Sequence, residues 1–134
     1  NAFDFNFTQV LGIDGTSSNG TFFTFLCPLG YRAVPRKWHI FFDSAPGGTA
    51  ANTTGTLLNN NVAVPSNTNI ILGGTGTGDT PLESFFVVEE NTLFGIQIVL
   101  TGIVGIFSTN VLVYGNLLPV TNVALPFEVT NAIR

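Results

Sequence analysis

Charged side chains are scarce in this sequence of 134 residues. Asp, Glu, Lys and Arg together make up 9% of the chain, whereas a typical soluble protein has about 25%. A folded protein of this mass exposes roughly 6,800 Å², so its formal charges are spread at about one per 560 Å². Because surface charge opposes association, this favours either a subunit that is largely covered in an assembly or an extracellular protein with a coat rich in Thr and Asn.

Basic residues and metal ligands are also few. The chain has four Lys and Arg residues and a net charge of −4, whereas a nucleic-acid-binding protein needs a basic face to displace counterions from phosphates. We therefore expect no nucleic-acid partner. Cys27 and His39 are the only residues of their types, so an intramolecular disulfide is excluded and the usual ligands of a zinc site are missing. We expect no metal site and no cofactor.

Conventional catalytic groups are missing as well. A catalytic triad would have to use His39, and no Ser lies in a Gly-x-Ser-x-Gly motif. Glu89 and Glu90 are adjacent, so on a strand they would point to opposite faces and would not flank one bond. We expect no catalytic residue and a protein that is not an enzyme, with a carboxylate pair brought together by the fold as the remaining enzymatic alternative.

One uncharged stretch raises the question of a membrane span, since no charged residue occurs between Glu90 and Glu128. Its most apolar part, residues 93–107, would span only about 23 Å as a helix, against a hydrocarbon core of about 30 Å. Gly95, Gly102 and Gly105 interrupt it. The pattern predicts a pair of strands and no membrane span.

Strand patterns run through the chain, and no long segment repeats its apolar residues with helical spacing. At the start, Phe3, Phe5 and Phe7 alternate with polar residues, which predicts a half-buried strand. Segments rich in Gly, Asn, Pro, Ser and Thr predict loops at 12–20, 43–55 and 73–81. The remaining predicted strands are 21–27, 37–42, 61–64, 68–72, 82–89, 92–100, 103–107, 111–114 and 123–129.

About eight strands at short spacing, without helical crossovers, predict an all-β fold. We expect an antiparallel β-sandwich or jelly roll, formed as a single domain over residues 1–134. The 13 Phe residues supply core volume without polar atoms that would need partners.

The strongest candidate for a site is a cluster around the only Trp of the chain: Arg32, Arg36, Lys37, Trp38 and His39. Trp and Arg are enriched at interface hot spots, so the cluster is a candidate anchor for a partner subunit, an acidic patch or a sugar ring. The alternative interpretation is structural, with Trp38 in the core and the Arg side chains paired with Asp43, Glu89 or Glu90.

Strand alternation makes a specific prediction for this cluster. In an extended strand over residues 36–41, Arg36 and Trp38 would share one face, and Lys37 and His39 would share the other.

The layout of two segments resembles a group of viral proteins. Residues 26–42 read LCPLGYRAVPRKWHIFF, a Pro/Gly entry followed by a strand with basic residues. Residues 82–93 read LESFFVVEENTL. The Glu-Asn turn in this second segment precedes an apolar hairpin, which ends in VLVYGNLL at 111–118. This layout resembles that of small jelly-roll virion structural proteins of bacteriophages and related viruses, of the minor capsid, penton, spike-base and decoration types. The resemblance implies a building block that self-associates and docks on a particle surface.

Two functions follow as hypotheses. The first is a non-enzymatic virion subunit that forms a homo-oligomer, a trimer or a pentamer, and contacts other capsid proteins. The alternative is a secreted, extracellular carbohydrate-binding module or lectin-like jelly roll with a glycan partner, for which Tyr31, Trp38 and Tyr114 are the candidate ring platforms.

Overall fold

Every regular element of the described structure is a β-strand. A computed structural model of the chain describes residues 3–14, 20–42, 53–72, 78–100 and 106–120. The strands within these ranges are β1 (Phe3–Asp14), β2 (Thr21–Leu26), β3 (Tyr31–Phe42), β4 (Thr53–Asn59), β5 (Val62–Ala63), β6 (Ile70–Ile71), β7 (Gly78–Glu83), β8 (Leu93–Leu100) and β9 (Ile106–Pro119).

The strands pair as a long hairpin that has been folded over. The first strand pairs with the last, β2 with β8, β3 with β7 and β4 with β5, all antiparallel. Two further antiparallel pairs, β3 with β9 and β4 with β8, join these strand pairs into sheets. Sheet A has the order β1-β9-β3-β7, and sheet B has the order β2-β8-β4-β5, with β6 also paired to β4. This nested pairing across two packed sheets is a jelly roll, which confirms the predicted all-β sandwich.

Aromatic rings join the two sheets. Phe5, Phe7 and Trp38 point inward from sheet A and meet Phe25 and Phe94 from sheet B. The ring centroids of Phe25 and Phe94 lie 5.8 Å apart, and those of Trp38 and Phe94 lie 6.3 Å apart at an interplanar angle of 81°. The edge-to-face contact between Trp38 and Phe94 adds to the stabilisation from burial. Since strand residues alternate between faces, this cluster also determines which residues point outward.

The strand predictions were wrong around β4. Residues 53–55 fell in the predicted loop 43–55, yet they begin a strand that lies inside sheet B, because β-branched Thr side chains suit a strand and Gly55 lets Ile96 and Leu72 approach. The predicted strand 61–64 is shorter. Asn60 and Asn61, with φ of 55° and 63°, form the two-residue turn of the β4–β5 hairpin, which requires positive φ at both positions.

The remaining differences concern strand ends. Predicted loop 73–81 overlaps β7, which starts at Gly78 and stops at Glu83, so most of the predicted strand 82–89 lies outside the ladder. Residues 111–114 belong to one long strand, β9, together with the end of predicted segment 103–107. Predicted strand 123–129 lies outside the described residues.

Two glycines of sheet B provide a test of the packing. A Cβ on Gly95 would collide with the carbonyl oxygen of Phe23 on β2, whereas a Cβ on Gly55 would meet only the side-chain ends of Ile96 and Leu72, at 2.9 Å. We expect Gly95→Ala to lower the free energy of unfolding by at least about 2 kcal/mol, because backbone must move. Gly55→Ala should change it by less than about 1 kcal/mol, since side chains can adjust. Chemical denaturation measures both, and equal costs would contradict this packing.

Candidate functional site

The structure distributes the Arg32 to His39 cluster over different environments, although all five residues lie on β3. Trp38 is fully buried, and its Nε1 donates a hydrogen bond to Ser84 Oγ at 2.8 Å. Its ring packs against those of Phe25 and Phe94. The sequence leaves two interpretations open for Trp38, an interface anchor or a core residue. In the structure Trp38 is a core residue, and its ring offers no surface to a partner.

The predicted alternation across residues 36–41 was wrong at Arg36, because β3 contains a β-bulge there. Pro35 pairs with Gly115 and Lys37 with Tyr114, so Arg36 has no counterpart on β9. The extra residue shifts the alternation, and Arg36 and Lys37 are both exposed while Trp38 is buried. The two cations are therefore neighbours on the outside of sheet A.

Ser84 holds this bulge in place. Its amide donates to the carbonyl oxygen of Arg36 at 2.9 Å, and its hydroxyl donates to the carbonyl oxygen of Pro35 at 2.7 Å while accepting from Trp38 Nε1. Both bulge carbonyls are thus satisfied by one residue of the segment that follows β7. The buried indole and the exposed cation pair are coupled through this serine.

Arg32 pairs with a carboxylate, as the structural alternative predicts. Its Nε lies 2.9 Å from Glu89 Oε1, and this contact raises the pKa of the guanidinium further. Glu90 does not point away from this region, because its Oε1 accepts a hydrogen bond from the amide of Gly30 at 2.8 Å. Glu89 and Glu90 lie outside the regular strands, so strand alternation does not separate them. Asp43 lies outside the described residues.

Beside the bulge, the outer side of sheet A contains a cavity of about 490 Å³. Its polar lining comes from Arg36, Lys37 and Tyr114 together with Asp4 and Asn116, whose Nδ2 donates to Asp4 Oδ1 at 3.0 Å. Its apolar lining is formed by Phe5 and Gly115. Gly115 has no room for a side chain, because a Cβ would collide with the carbonyl oxygen of Val34 and meet the Phe5 ring at 2.8 Å.

The other ring candidates differ in accessibility. Tyr114 lines the cavity and is 36% exposed, and the rings of His39 and Tyr114 meet edge to face with centroids 5.8 Å apart. Tyr31 is half-buried and packs edge-on against Phe3, with centroids 5.9 Å apart. Tyr114 is therefore the predicted ring that the structure brings next to Arg36 and Lys37.

The two sheets differ sharply in charge. Sheet A carries exposed Asp4, Arg36, Lys37 and Glu83, whereas the five strands of sheet B contain no Asp, Glu, Lys, Arg or His. The outer side of sheet B combines Thr and Gln with large apolar side chains that are about half exposed. These apolar residues are Phe22 (46%), Leu26 (51%), Ile71 (50%) and Leu93 (46%). We call this surface the uncharged face.

The uncharged face adjoins one end of the sandwich, which itself carries Glu90 and the Arg32–Glu89 ion pair. There the β2–β3, β4–β5 and β7–β8 connections are held together by backbone hydrogen bonds, among them Cys27 N to Thr92 O at 3.0 Å and Asn60 N to Leu93 O at 2.9 Å. Large apolar side chains exposed on these connections or directly beside them include Leu29 (74%), Val62 (66%) and Val87 (43%). The apolar surface around Leu26 and Leu93 is thus extended by ordered loops.

Cys27 lies beneath this end. It is buried, and its Sγ lies 3.2 Å from the carbonyl oxygen of Tyr31. Burial raises the pKa of the thiol, as expected for a thiol held away from water.

Among the described residues, no group of three or more His, Cys, Asp or Glu side chains is arranged to hold a metal ion. In the same part of the chain, no helix has the length and apolar character needed to cross a membrane.

No protein-family model matches the chain, and no curated protein matches it.

Replacement of Trp38 tests its place in the core. We expect Trp38→Ala to lower the free energy of unfolding by about 3 to 5 kcal/mol, because it leaves a cavity between the sheets. Trp38→Phe should cost less, since it keeps a ring and loses mainly the bond to Ser84. Urea denaturation followed by circular dichroism gives both values. A loss below about 1 kcal/mol for Trp38→Ala would contradict burial of the indole.

Proposed function

We propose that this protein is a non-enzymatic structural subunit of a virus particle, of the capsid, penton, spike or decoration type. The observation that carries the proposal is the uncharged face of sheet B with its half-exposed Phe22, Leu26 and Leu93. Exposed apolar patches of this kind mark protein–protein contacts. Jelly rolls serve as capsid, lectin and cupin domains. The fold therefore does not distinguish among these functions, and the proposal has to be argued from the surface.

The proposed first partner is a second copy of this chain. Two copies with a net charge of −4 each repel one another, and a contact through a face without charge brings no like charges together. In a closed ring of three or five copies each subunit contributes two different patches. The uncharged face supplies one of them, and the proposed homo-oligomer is a trimer or a pentamer.

The size of the face indicates how much of the surface takes part. Three neighbouring strands, about 4.8 Å apart and about 20 Å long, present on the order of 300 Å² in projection. A standard interface buries about 800 Å² per partner. The sheet face alone falls short, so the proposed contact also includes the adjacent end of the sandwich, where Leu29, Val62 and Val87 are exposed.

Docking on other capsid proteins would use the part of the surface that self-association leaves exposed. The proposed location is therefore the virion, and the proposed contacts are apolar and rich in Thr and Asn. This role needs no acid, base or nucleophile.

Two Phe residues allow a matched test. Phe22 on the uncharged face and Phe41 on the outer side of sheet A are 46% and 43% exposed. We expect Phe22→Lys to dissociate the oligomer and Phe41→Lys to leave it intact, because only the first places a charge in the contact. Light scattering coupled to size exclusion measures the mass of both variants, and melting temperatures confirm that both fold.

Salt provides a second arm of this experiment. Apolar contacts persist in high salt, whereas ion pairs are screened once the Debye length falls to about 3 Å at 1 M. The wild-type oligomer should therefore keep its mass in 1 M salt. A wild-type monomer, or dissociation by Phe41→Lys alone, would contradict the proposed assembly.

The virion role has its own test. Mass spectrometry of purified particles should detect the chain in fixed proportion to the major capsid protein, and its gene should lie among capsid, portal or packaging genes. Location among genes for glycan-degrading enzymes would count against the virion and for the lectin.

A further inference from the structure

The cavity beside the Arg36 bulge lies on the opposite sheet from the uncharged face. Its volume of about 490 Å³ falls within the range of about 300–1,000 Å³ that is usual for small-molecule sites. The ligand that fits it follows from its lining.

The first element is a pair of cations. Regular alternation would place Arg36 and Lys37 on opposite faces of β3, but the bulge exposes both beside the cavity. The Arg36 guanidinium carbon lies 5.4 Å from the centre of the Phe85 ring, a cation–π contact that restricts the side chain. A positioned Arg next to a Lys is suited to bind a carboxylate through charge-assisted hydrogen bonds.

The second element limits the charge of the ligand. Asp4 also lines the cavity, so the site carries two positive charges and one negative charge. A phosphate dianion close to this carboxylate would be repelled more strongly than a single carboxylate. The balance of charges therefore favours a ligand with one negative charge.

The third element is the combination of apolar surface with hydrogen-bonding groups. Tyr114, which is 36% exposed, supplies ring surface, on which the C–H groups of a saccharide ring can pack. The Asp4–Asn116 pair, joined at 3.0 Å, supplies acceptors for hydroxyl groups, because Asn116 Oδ1 is not used in that bond.

We propose that this cavity binds a saccharide unit that carries one carboxylate, such as a hexuronic acid. Arg36 and Lys37 bind the carboxylate, Tyr114 packs against the ring and the Asp4–Asn116 pair contacts hydroxyl groups. The inference is independent of the virion role and of the oligomer, since the residues that line the cavity all lie on strands of sheet A.

Titration of the full chain with glucuronate, glucose and acetate, followed by amide chemical shifts, tests the site. We expect glucuronate to bind at least about tenfold more tightly than glucose or acetate, because only glucuronate uses both parts of the site. The shifts should be centred on residues 114–116. No saturable binding of glucuronate would overturn the proposal. Equal binding of acetate would overturn the saccharide part, and equal binding of glucose would overturn the role of the cations.

Arginine variants provide the matched control. We expect Arg36→Gln to weaken glucuronate binding about tenfold or more and to leave glucose binding unchanged. Arg32→Gln removes the same charge from the same strand, but Arg32 pairs with Glu89 and does not line the cavity, so glucuronate should bind as before. Equal losses in the two variants would indicate a long-range effect of net charge and would contradict the assigned site.

Discussion

Five aromatic side chains pack against one another between the two sheets: Phe5, Phe7, Phe25, Trp38 and Phe94. This contact determines which strand residues are exposed on the outer sides of the sheets. Strand residues alternate between faces, so once Phe23 and Phe25 point inward, Phe22, Thr24 and Leu26 have to point outward. The same constraint turns Leu93 outward beside the buried Phe94. The half-exposed apolar residues of sheet B are thus a consequence of how the core is built, and the absence of charge around them is what makes that surface suited to a partner.

Trp38 connects this core to the opposite surface. Its indole donates to Ser84, and Ser84 satisfies both carbonyls of the bulge that exposes Arg36 and Lys37 together. The two sheets therefore present different surfaces. Sheet B has the uncharged face for which a partner protein is proposed, and sheet A has the exposed cation pair and the cavity.

Much of the fold is predictable from local patterns, since alternation in β1 and the lack of helical periodicity already indicate a sandwich. Strand β4 is not, because a run of Thr with Gly55 has the composition of a loop and becomes a strand only between β8 and β5. The bulge at Arg36 depends on Ser84, whose hydroxyl contacts residues 46 and 49 positions away along the chain, so no local pattern reveals it. The uncharged face did leave a signal. The uncharged stretch after Glu90, which raises the question of a membrane span, contains β8, the strand between β2 and β4 in that face.

The proposed assembly covers the uncharged face of sheet B and leaves Phe41 on sheet A exposed. Hydroxyl-radical footprinting of the wild-type chain, assembled and then diluted to the monomer, tests it most directly, because Phe22 and Phe41 have nearly equal exposure, 46% and 43%, and report on opposite faces. In the monomer both rings should be oxidised at similar rates. On assembly, oxidation of Phe22 and Leu93 should fall severalfold while that of Phe41 stays the same. Protection of Phe41 with Phe22 still exposed would contradict the account.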